Sequence, residues 1–542
     1  MGIRSGFIAL SLGLLIASPA SADTYQLDIA RRPVDVTGSP VNSITINGST
    51  PGPTLHFREG EDVTVQVTNH LDEPTSIHWH GLLVPPSMDG VPGLNGFPGI
   101  APGETFTYRF PTRQAGTYWY HAHSGSQEQA GNIGSIVITP KGGERVRSDR
   151  DYVVVLSDFT RENPDTILNN LKMNDEFYNF NQRTVGDFFD AVREKGLAST
   201  WNDYKMWNEM RMTPTDLSDV TGYTFLVNGE SPDHNWTGIF KPGERVRLRF
   251  INASAMSFFD VRIPGLKMTV IAADGQDVEP VAVDEFRFGS AETYDVIVEP
   301  REDRAFTLVA EPIDRTGFAL GTLAPREGMR GDVPQHRPRA VLTMADMALM
   351  PGMDMASMME DMPDMDMASG WAEAGTPAGD KALSYADLRP LGTQKDTREP
   401  DQEVAITLGG NMQRYIWTIN GKKHEDAVPI RLRYGERVRL KFTNETMMAH
   451  PMHLHGMFVQ LENGQPAAKM PNKHTVIIPP GKSVSVLLTA DEAGEWAFHC
   501  HLMYHMLAGM MTSVEVAKPG EAVTPVSLTT PQTTTSEHHH GH

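Results

Sequence analysis

The fold is decided by a ten-residue stretch that occurs three times: GEDVTVQVTN at 60–69, GERVRLRFIN at 243–252 and GERVRLKFTN at 435–444. Each copy begins with a Gly-Glu turn and continues as alternating apolar and polar residues, the pattern of a half-buried β-strand. An Asn-Gly turn signal precedes each copy, at 47–48, 228–229 and 420–421. The repeat therefore predicts three homologous β-domains, each a sandwich of short strands.

The spacing of the repeats leaves room for an insertion between one domain and the next. We predict domain 1 at residues 23–145, domain 2 at 146–342 and domain 3 at 400–520. Helical spacing and few turn residues predict a partly helical insertion in domain 2 at about 163–212. Residues 343–399 are poor in β-branched residues and rich in Met, Asp, Ala and Gly, which predicts a Met-rich flexible connection before domain 3.

Both ends of the chain carry segments that we expect to lie outside the domains. Residues 1–22 have the pattern of a signal peptide, because Arg4 precedes a short apolar stretch and Ala20-Ser21-Ala22 fits a cleavage site. We therefore predict export, and no later segment is apolar enough to span a membrane as a helix. The Thr-rich tail at 521–542 is predicted to be disordered. Its terminal HHHGH is either a natural metal-binding tail or an added tag.

The charge and cysteine content exclude some functions. The chain has 47 Lys and Arg against 68 Asp and Glu, a formal charge of −21. This negative charge argues against nucleic-acid binding, which depends on cationic contacts to phosphate. A negatively charged protein attracts cations instead. The single cysteine, Cys500, cannot form an internal disulfide. It is therefore a free thiol, a metal ligand or an intermolecular link.

Half of the histidines are grouped in four short motifs. The motifs are HWH at 78–80, HAH at 121–123, HPMHLH at 450–455, and HCH at 499–501 followed by His505 and Met510. Residues i and i+2 of a strand face the same way, so each H-x-H pair presents two imidazoles to one side. Imidazole is a ligand for copper, zinc, iron and nickel. Domains 1 and 3 carry the motifs symmetrically and domain 2 has none, which predicts a metal site shared by the outer domains.

The HCH motif indicates which metal is bound. On a strand, Cys500 points away from both neighbouring histidines, so it can ligate one metal while they reach another site behind it. His505 and Met510 follow, and with His450 from the facing strand they complete a set of two His, one Cys and a weak Met. This is the donor set of a blue-copper site, whereas zinc sites rarely contain a thioether.

In order along the chain, the motifs H-W-H-G, H-x-H, H-P-x-H-x-H-G and H-C-H-x3-H-x4-M resemble those of the multicopper oxidases, over nearly the whole mature chain. The stretches at 123–129 and 211–222, with the Met-rich connection, are similar to the bacterial copper-resistance protein A group. The resemblance implies an all-β fold of three cupredoxin-like Greek-key sandwiches, a periplasmic location and four copper ions as cofactors.

The resemblance also implies a role for each motif residue. Type 1 copper is expected at His450, Cys500, His505 and Met510. Type 2 copper is expected at His78 and His453, and the type 3 pair at His80, His121, His123, His455, His499 and His501. Substrate is then oxidised one electron at a time at type 1. Electrons pass through Cys500 and its histidine neighbours to the three-copper cluster, where O2 takes four and becomes water.

Oxygen reduction also needs protons, which acids near the cluster supply. Asp89 occupies a position where multicopper oxidases commonly have an acid near the type 2 copper; the alternative is an ordinary turn Asp before Gly90. Some members carry a Glu directly after the second type 1 His, but here that residue is Met506. Glu128 or Glu492 is then the substitute, and the sequence does not choose between them.

Ten methionines and six acids lie between residues 344 and 367, without a single Lys or Arg. Thioethers are soft ligands that select Cu(I), and nearby carboxylates concentrate cations. The stretch is too polar and irregular to form a core, so we predict a Cu(I)-capture segment. Its candidate ligands are Met353, Met355, Met358, Met359, Met362, Met365 and Met367.

Two functions fit these observations. One is an oxidase for copper tolerance that couples one-electron oxidation of Cu(I) or phenols to the four-electron reduction of O2. The other is a periplasmic copper-sequestering protein with little turnover. Nitrite reduction is disfavoured, because the related two-domain enzymes lack a three-domain chain with eight cluster histidines. The expected partners are O2, Cu(I) or phenolic molecules, and other periplasmic copper-handling proteins.

Overall fold

A computed structural model of the protein describes residues 24–209, 213–343, 346, 371 and 375–521. The fold is mostly β, as predicted: six sheets form three sandwiches in this part of the chain, and helices are few. Three predicted features lie outside the described residues. They are the signal peptide, the Met ligands of the capture segment, and the tail beyond residue 521.

The first sandwich contains eight strands. They are β1 (Thr24–Asp35), β2 (Pro40–Ile46), β3 (Gly52–Arg58), β4 (Asp62–Asn69), β5 (His78–His80), β6 (Thr105–Pro111), β7 (Gly116–His121) and β8 (Ile133–Thr139). One sheet has the order β2-β1-β4-β6 and the other β3-β8-β7-β5. Strand β4 carries the first repeat, and buried residues alternate along it with more exposed ones, as its sequence predicts.

The second sandwich contains twelve strands. They are β9 (Arg150–Phe159), β10 (Thr224–Val227), β11 (Trp236–Ile239), β12 (Val246–Asn252), β13 (Phe259–Arg262), β14 (Met268–Ala273), β15 (Gln276–Val283), β16 (Glu285–Phe288), β17 (Thr293–Val298), β18 (Phe306–Pro312), β19 (Ala319–Ala324) and β20 (Ala382–Leu383). The sheet orders are β10-β9-β12-β17-β14-β15 and β11-β19-β18-β13-β16-β20. Strand β20 follows the Met-rich stretch, so the end of that connection returns to the second sandwich.

Strand β12, the second repeat, corrects one expectation. Its alternating sequence predicts a half-buried strand, but all seven of its residues are buried. The polar side chains have ionic partners inside the molecule, since Arg247 and Arg249 both pair with buried Asp295. Arg249 also donates to Thr117 Oγ1 of the first sandwich at 3.1 Å. Packing between domains therefore covers the face that would otherwise meet solvent.

The predicted insertion in domain 2 is helical. It contains α1 (Pro164–Met173), α2 (Val185–Lys195) and α3 (Leu197–Glu209). Helix α1 begins after Asn163, whose side chain accepts hydrogen bonds from the Asp165 and Thr166 amides. Pro164 fits the first turn, where no amide donor is needed. The chain then continues through residues 214–221, which are all buried.

The third sandwich contains eleven strands and one short helix. They are β21 (Gln402–Asn411), β22 (Ile416–Ile419), β23 (Ile430–Leu432), β24 (Arg437–Asn444), β25 (His450–Leu454), β26 (Val459–Leu461), β27 (Asn472–Lys473), β28 (Thr475–Ile478), β29 (Ser483–Thr489), β30 (Gly494–Cys500), α4 (Met503–Leu507) and β31 (Met511–Val516). The sheet orders are β22-β21-β24-β29-β26-β27 and β23-β31-β30-β25-β28.

Strand pairing brings the four histidine motifs together in twos. Strand β5 pairs with β7, so that His78 lies opposite His121. Strand β25 pairs with β30, so that His453 lies opposite His499. One hydrophobic core runs through the second and third sandwiches, and a separate core fills the first. In the described part of the chain, no helix has the length and apolar character needed to cross a bilayer.

Candidate metal centre

Eight histidines from the first and third sandwiches form one group, which we call the eight-histidine cluster. Its members are His78, His80, His121, His123, His453, His455, His499 and His501. The ring of His78 stacks on that of His455, with 3.8 Å between centroids. The ring of His80 stacks on that of His453 at the same distance. Each stacked pair takes one ring from each sandwich, so the cluster exists only where the two sandwiches meet.

Hydrogen bonds on the outer side of the cluster orient the rings. Asp89 accepts two of them: its backbone oxygen accepts from His78 Nδ1 at 2.8 Å, and its Oδ2 accepts from His455 Nδ1 at 2.9 Å. His121 Nδ1 lies 2.6 Å from Glu128 Oε2. A proton held on Nδ1 leaves the lone pair on Nε2, which then points into the cluster. Four such Nε2 atoms are buried without a protein partner, those of His78, His121, His453 and His501.

His80 is turned the other way. Its Nδ1 is the buried atom without a partner. Its Nε2 lies 3.2 Å from His474 Nδ1 and 3.3 Å from Thr475 Oγ1, on the outer side of the cluster. The ring therefore offers Nδ1, and not Nε2, to the other histidines.

Burial keeps seven imidazoles of the cluster neutral. The pKa lies well below its ordinary value at six of them: His80, His121, His123, His453, His455 and His501. Burial is the main cause, and nearby charges, mostly those of other histidines, are the second. The pKa of His499 is lowered to about 4, chiefly by burial. Neutral imidazole is the form that ligates a metal ion. Neutral rings with unpartnered lone pairs aimed at one another form a donor set that fits copper.

A second group, the Cys500 cluster, contains His450, Cys500 and His505, all buried. Cys500 Sγ lies 3.6 Å from His450 Nδ1 and 3.8 Å from His505 Nδ1, and these two nitrogens are 3.1 Å apart. Met510 is also buried, and its backbone oxygen accepts from the Cys500 amide at 3.0 Å. Burial raises the pKa of the Cys500 thiol above its ordinary range. A thiolate at this position therefore needs a bound cation, which suits a metal site.

The outer nitrogens of the Cys500 cluster also have partners. His450 Nε2 lies 2.7 Å from Thr446 Oγ1. His505 Nε2 lies 2.7 Å from Asp219 Oδ2, a carboxylate of the second sandwich. The indole of Trp417 stacks on His505 with 3.9 Å between centroids. These contacts leave Nδ1 of both histidines facing the thiol.

Residues 499–501 belong to both groups. Strand β30 ends at Cys500, whose sulfur faces His450 and His505. The preceding residue, His499, has its Nε2 at 3.1 Å from His455 Nε2 in the other cluster. One tripeptide therefore joins the two donor sets.

Glu128 and Glu492, the two acids that the sequence leaves as alternatives for proton supply, lie in different surroundings. Glu128 is buried against His121, and burial raises the pKa of its carboxyl well above the ordinary value. Glu492 is about a quarter exposed and pairs with Arg113 at 2.6 Å. Met506 is half-buried on α4. Of the two acids, Glu128 is the one in contact with the eight-histidine cluster.

Comparison with known proteins establishes the family. Sequence profiles of the multicopper oxidases match residues 28–143, 150–325 and 397–520, one match for each sandwich. Copper resistance protein A of Escherichia coli is 46% identical over 95% of this chain and 96% of its own length. The chain belongs to the multicopper oxidases.

Further relatives are consistent with this multicopper oxidase assignment. The multicopper oxidase MmcO of Mycobacterium tuberculosis is 32% identical over 92% of this chain and 88% of its own. The laccase of Botrytis aclada, at 22% identity, superposes with a TM-score of 0.67 over 91% of this chain and 87% of its own, and so shares the fold. Family membership implies copper as the cofactor, and the two clusters are its candidate ligands in this multicopper oxidase.

Sequence reasoning misses three residues that touch the clusters of this multicopper oxidase. Asp219 lies in the 211–222 stretch that the resemblance singles out, but without a role. His474 lies outside every H-x-H motif. Ser290, between β16 and β17, donates to the His501 backbone oxygen at 3.1 Å. Asp219 and Ser290 belong to the second sandwich, and no periodicity in the sequence marks any of the three.

Proposed function

We propose that this multicopper oxidase oxidises Cu(I), with phenols as alternative donors, one electron at a time and reduces O2 to water. The observation that carries the proposal is that one tripeptide, residues 499–501, contributes to two separate donor sets. The donor gives one electron at a time, whereas O2 must take four before it is released as water. If the donor met O2 directly, partly reduced oxygen would be released. Two clusters joined by one tripeptide meet that requirement.

The proposed ligands divide by donor type. His450, Cys500, His505 and Met510 hold the type 1 copper, because a thiolate and a thioether suit copper and tune its potential. The imidazoles hold the other three ions: His78 and His453 for type 2, and His80, His121, His123, His455, His499 and His501 for the type 3 pair. When bound, the four ions supply one-electron oxidation at the first set and storage of electrons for O2 at the second.

The backbone of β30 fixes the path between the two sites. Cys500 provides the sulfur on one side, and its backbone oxygen accepts from His499 Nδ1 at 3.0 Å on the other. The same residue therefore places a type 1 ligand and orients a type 3 ligand. A short, rigid connection of this kind keeps the geometry constant while electrons pass.

We assign proton supply to Asp89 and Glu128. Asp89 holds His78 and His455, one ring from each sandwich. Glu128 lines a cavity of about 190 Å³ that also reaches the exposed Arg31. This cavity gives Glu128 a path toward solvent that Glu492, held by Arg113, does not offer to the cluster.

Cu(I) is the proposed donor because its ligands recur outside the two clusters. The Met-rich stretch with Met353, Met355, Met358, Met359, Met362, Met365 and Met367 offers thioethers, and the charge of −21 favours cations. Asp219 adds a carboxylate directly behind His505. A relative named for copper resistance supports a role in copper tolerance. The proposed location is the periplasm, after removal of residues 1–22, with other copper-handling proteins as partners.

Oxygen uptake tests this function directly. Copper-loaded protein is given Cu(I) in a soft-ligand buffer, or a phenol, in an oxygen electrode, and hydrogen peroxide is measured in parallel. Uptake with four electrons per O2 and no peroxide is expected. Protein that binds Cu(I) stoichiometrically without consuming oxygen would instead be a copper-sequestering protein.

A further inference from the structure

A ninth histidine lies against the eight-histidine cluster. His474, between β27 and β28, is 2% exposed, and its Nδ1 lies 3.2 Å from His80 Nε2. None of the predicted ligand sets includes it. A buried imidazole in contact with a candidate ligand either binds the metal itself or positions that ligand.

The geometry shows which of the two roles His474 can have. The free edge of its ring faces Gly81, since a Cβ built on Gly81 would lie 2.5 Å from His474 Cδ2 and 2.8 Å from Nε2. The other edge, Nδ1, faces His80 Nε2 and lies 3.0 Å from Thr475 Oγ1. Nδ1 is thus in contact with His80 and Thr475, whereas Nε2 is buried against Gly81 without a hydrogen-bond partner. His474 is placed to hold His80, which is the ring that offers Nδ1 to the cluster.

The same short segment also holds a ring of the third sandwich. His453 Nδ1 donates to the His474 backbone oxygen at 2.7 Å, which leaves His453 Nε2 free for the cluster. Thr475 Oγ1 lies 3.3 Å from His80 Nε2 and 3.4 Å from His453 Nδ1. Residues 474–475 therefore contact the outer nitrogens of a stacked pair that bridges two sandwiches.

The segment is in turn anchored by the second sandwich. The Asp274 Oδ2 atom accepts from the backbone amides of His474 at 3.1 Å and of Thr475 at 3.2 Å. It also pairs with Lys473 Nζ at 3.1 Å, and all of these groups are buried. The other oxygen, Asp274 Oδ1, accepts from the Thr293 amide at 3.1 Å within its own sandwich.

The turn that carries Asp274 fits tightly between its neighbours. Asp274 and Gly275 have φ values of 47° and 71°, in the left-handed region that a tight hairpin between β14 and β15 requires. A Cβ on Gly275 would lie 2.2 Å from Tyr118 Cζ in the first sandwich. One turn of the second sandwich is thus seated against the first and bonded to the third.

We propose that Asp274 and His474 are positioning residues for the trinuclear copper site. They set the ring orientation of His80 and His453 and decide which nitrogen of each ring ligates metal. Through Asp274, the second sandwich acts on the site although it contains none of the predicted ligands. Asp274 fixes the backbone of residues 473–475. His474 Nδ1 accepts a hydrogen bond from His80 Nε2–H, which reserves the Nδ1 lone pair of His80 for metal. The His474 backbone oxygen accepts from His453 Nδ1–H, which leaves the Nε2 lone pair of His453 for metal. The proposal rests on the ligand roles given above to His80 and His453.

The test compares His474→Leu with His474→Asn in the full chain. Leucine keeps much of the volume but removes the hydrogen bond, whereas an asparagine amide reaches the position of Nδ1. We expect His474→Leu to keep the blue absorption and to lose retention of the other coppers against a chelator about 10–100-fold, the usual cost of removing a ligand's outer partner. His474→Asn should recover most of this loss. Copper per chain and the electron paramagnetic resonance spectrum of the type 2 ion are the measurements.

Two further variants guard against a folding artefact. Asp274→Asn weakens the backbone anchor, and also the 3.7 Å contact of Asp274 Oδ2 with His474 Nδ1, while it leaves every ring in place. It should lower retention of the same coppers. Asp260→Asn is the matched control, because Asp260 is an equally buried acid of the second sandwich whose partners are Arg287 and Arg315. It should leave copper retention unchanged at a comparable loss of thermal stability. If His474→Leu does not fold, the comparison of Asp274→Asn with Asp260→Asn decides the matter.

Three outcomes would overturn the inference. One is a His474→Leu protein with wild-type copper retention and spectrum. Another is equal loss in His474→Leu and His474→Asn, since the hydrogen bond would then not be the cause. The third is equal loss in Asp274→Asn and Asp260→Asn. Wild-type protein that holds only the blue copper would instead refute the proposed ligand roles.

Discussion

The Cys500 cluster and the eight-histidine cluster are built in opposite ways. His450, Cys500 and His505 all come from the third sandwich, from two paired strands and the helix that follows. The eight histidines come in equal numbers from the first and third sandwiches, and their closest pairs cross between domains. The first site therefore depends on the fold of one domain, and the second depends on how two domains dock.

The difference extends to the residues behind the ligands. In the Cys500 cluster, Thr446 and Trp417 of the same sandwich support the two histidines, and Asp219 is the contribution from outside. In the eight-histidine cluster, the first sandwich supplies Asp89 and Glu128, while the second acts through Ser290 and Asp274. The outer sandwiches thus supply the candidate ligands, and the middle one contributes residues that contact them. Substitutions should separate the two sites accordingly.

The largest effect is expected from Cys500→Ser. A hard hydroxyl replaces the soft thiolate, so the blue absorption and donor-driven oxygen uptake should both be lost. The eight-histidine cluster should still load copper, because its ligands are untouched. Visible absorption, copper analysis and oxygen uptake check this result. A variant that keeps both its colour and its turnover would show that Cys500 is not the type 1 ligand.

The converse change is His455→Ala. This ring belongs only to the eight-histidine cluster, where it stacks on His78 and contacts His499. Oxygen uptake should fall to background while the blue absorption persists. The exposed His70 provides a matched control, and His70→Ala should alter neither signal. Loss of the blue band together with normal oxygen uptake would reverse the proposed division of ligands.

A smaller loss is expected from Glu128→Gln. The amide keeps the size of the side chain but cannot deliver a proton, and it weakens the support of His121. Oxygen uptake should fall about 10–100-fold, as for other outer partners of metal ligands. Anaerobic bleaching of the blue band by donor should be unchanged, because it does not need the cluster. Glu492→Gln is the control, and equal losses in both variants would refute the assignment of Glu128.

Asp219→Asn should change the Cys500 cluster alone. Removing one negative charge beside His505 destabilises the oxidised ion relative to the reduced one. If the oxidised ion loses about 1.4 kcal/mol of stabilisation, the one-electron reduction potential rises by about 60 mV. We therefore expect the potential of the type 1 ion to rise by on the order of 50–100 mV. Redox titration of the blue band measures it. An unchanged potential would show that Asp219 does not influence the type 1 ion.

The smallest effect should come from deleting residues 344–367. Loss of the thioethers should raise the apparent KM for Cu(I) several-fold and leave phenol oxidation unchanged or faster. Replacing the ten methionines by leucine at constant length is the matched control, and it should reproduce the Cu(I) effect alone. Steady-state oxygen uptake at equal copper loading separates these cases. An unchanged KM for Cu(I) would refute the capture role.

The grouping of the candidate ligands could be predicted from the sequence, because residues i and i+2 of a strand point to the same side. Two rings of an H-x-H pair on a strand therefore face one side, and the four motifs together predict a shared site. The supports could not be predicted in this way. Asp274 acts on His474 across 200 residues, through a contact that domain docking creates. Likewise, the alternating apolar and polar residues of β12 predict that one face of the strand is exposed to solvent. The first sandwich covers that face instead.

The cross-domain contacts have a consequence for the order of events during synthesis. His123 and His499 touch, yet they are 376 residues apart in the chain. A chain that emerges from its N-terminus folds its early domains first, so the first sandwich holds its four histidines ready long before the third exists. The last strands to be made are the ones that close the site. A chain without its third sandwich therefore has only four of the eight histidines, and we expect the proposed copper ions to be bound stably only after the last strands have folded.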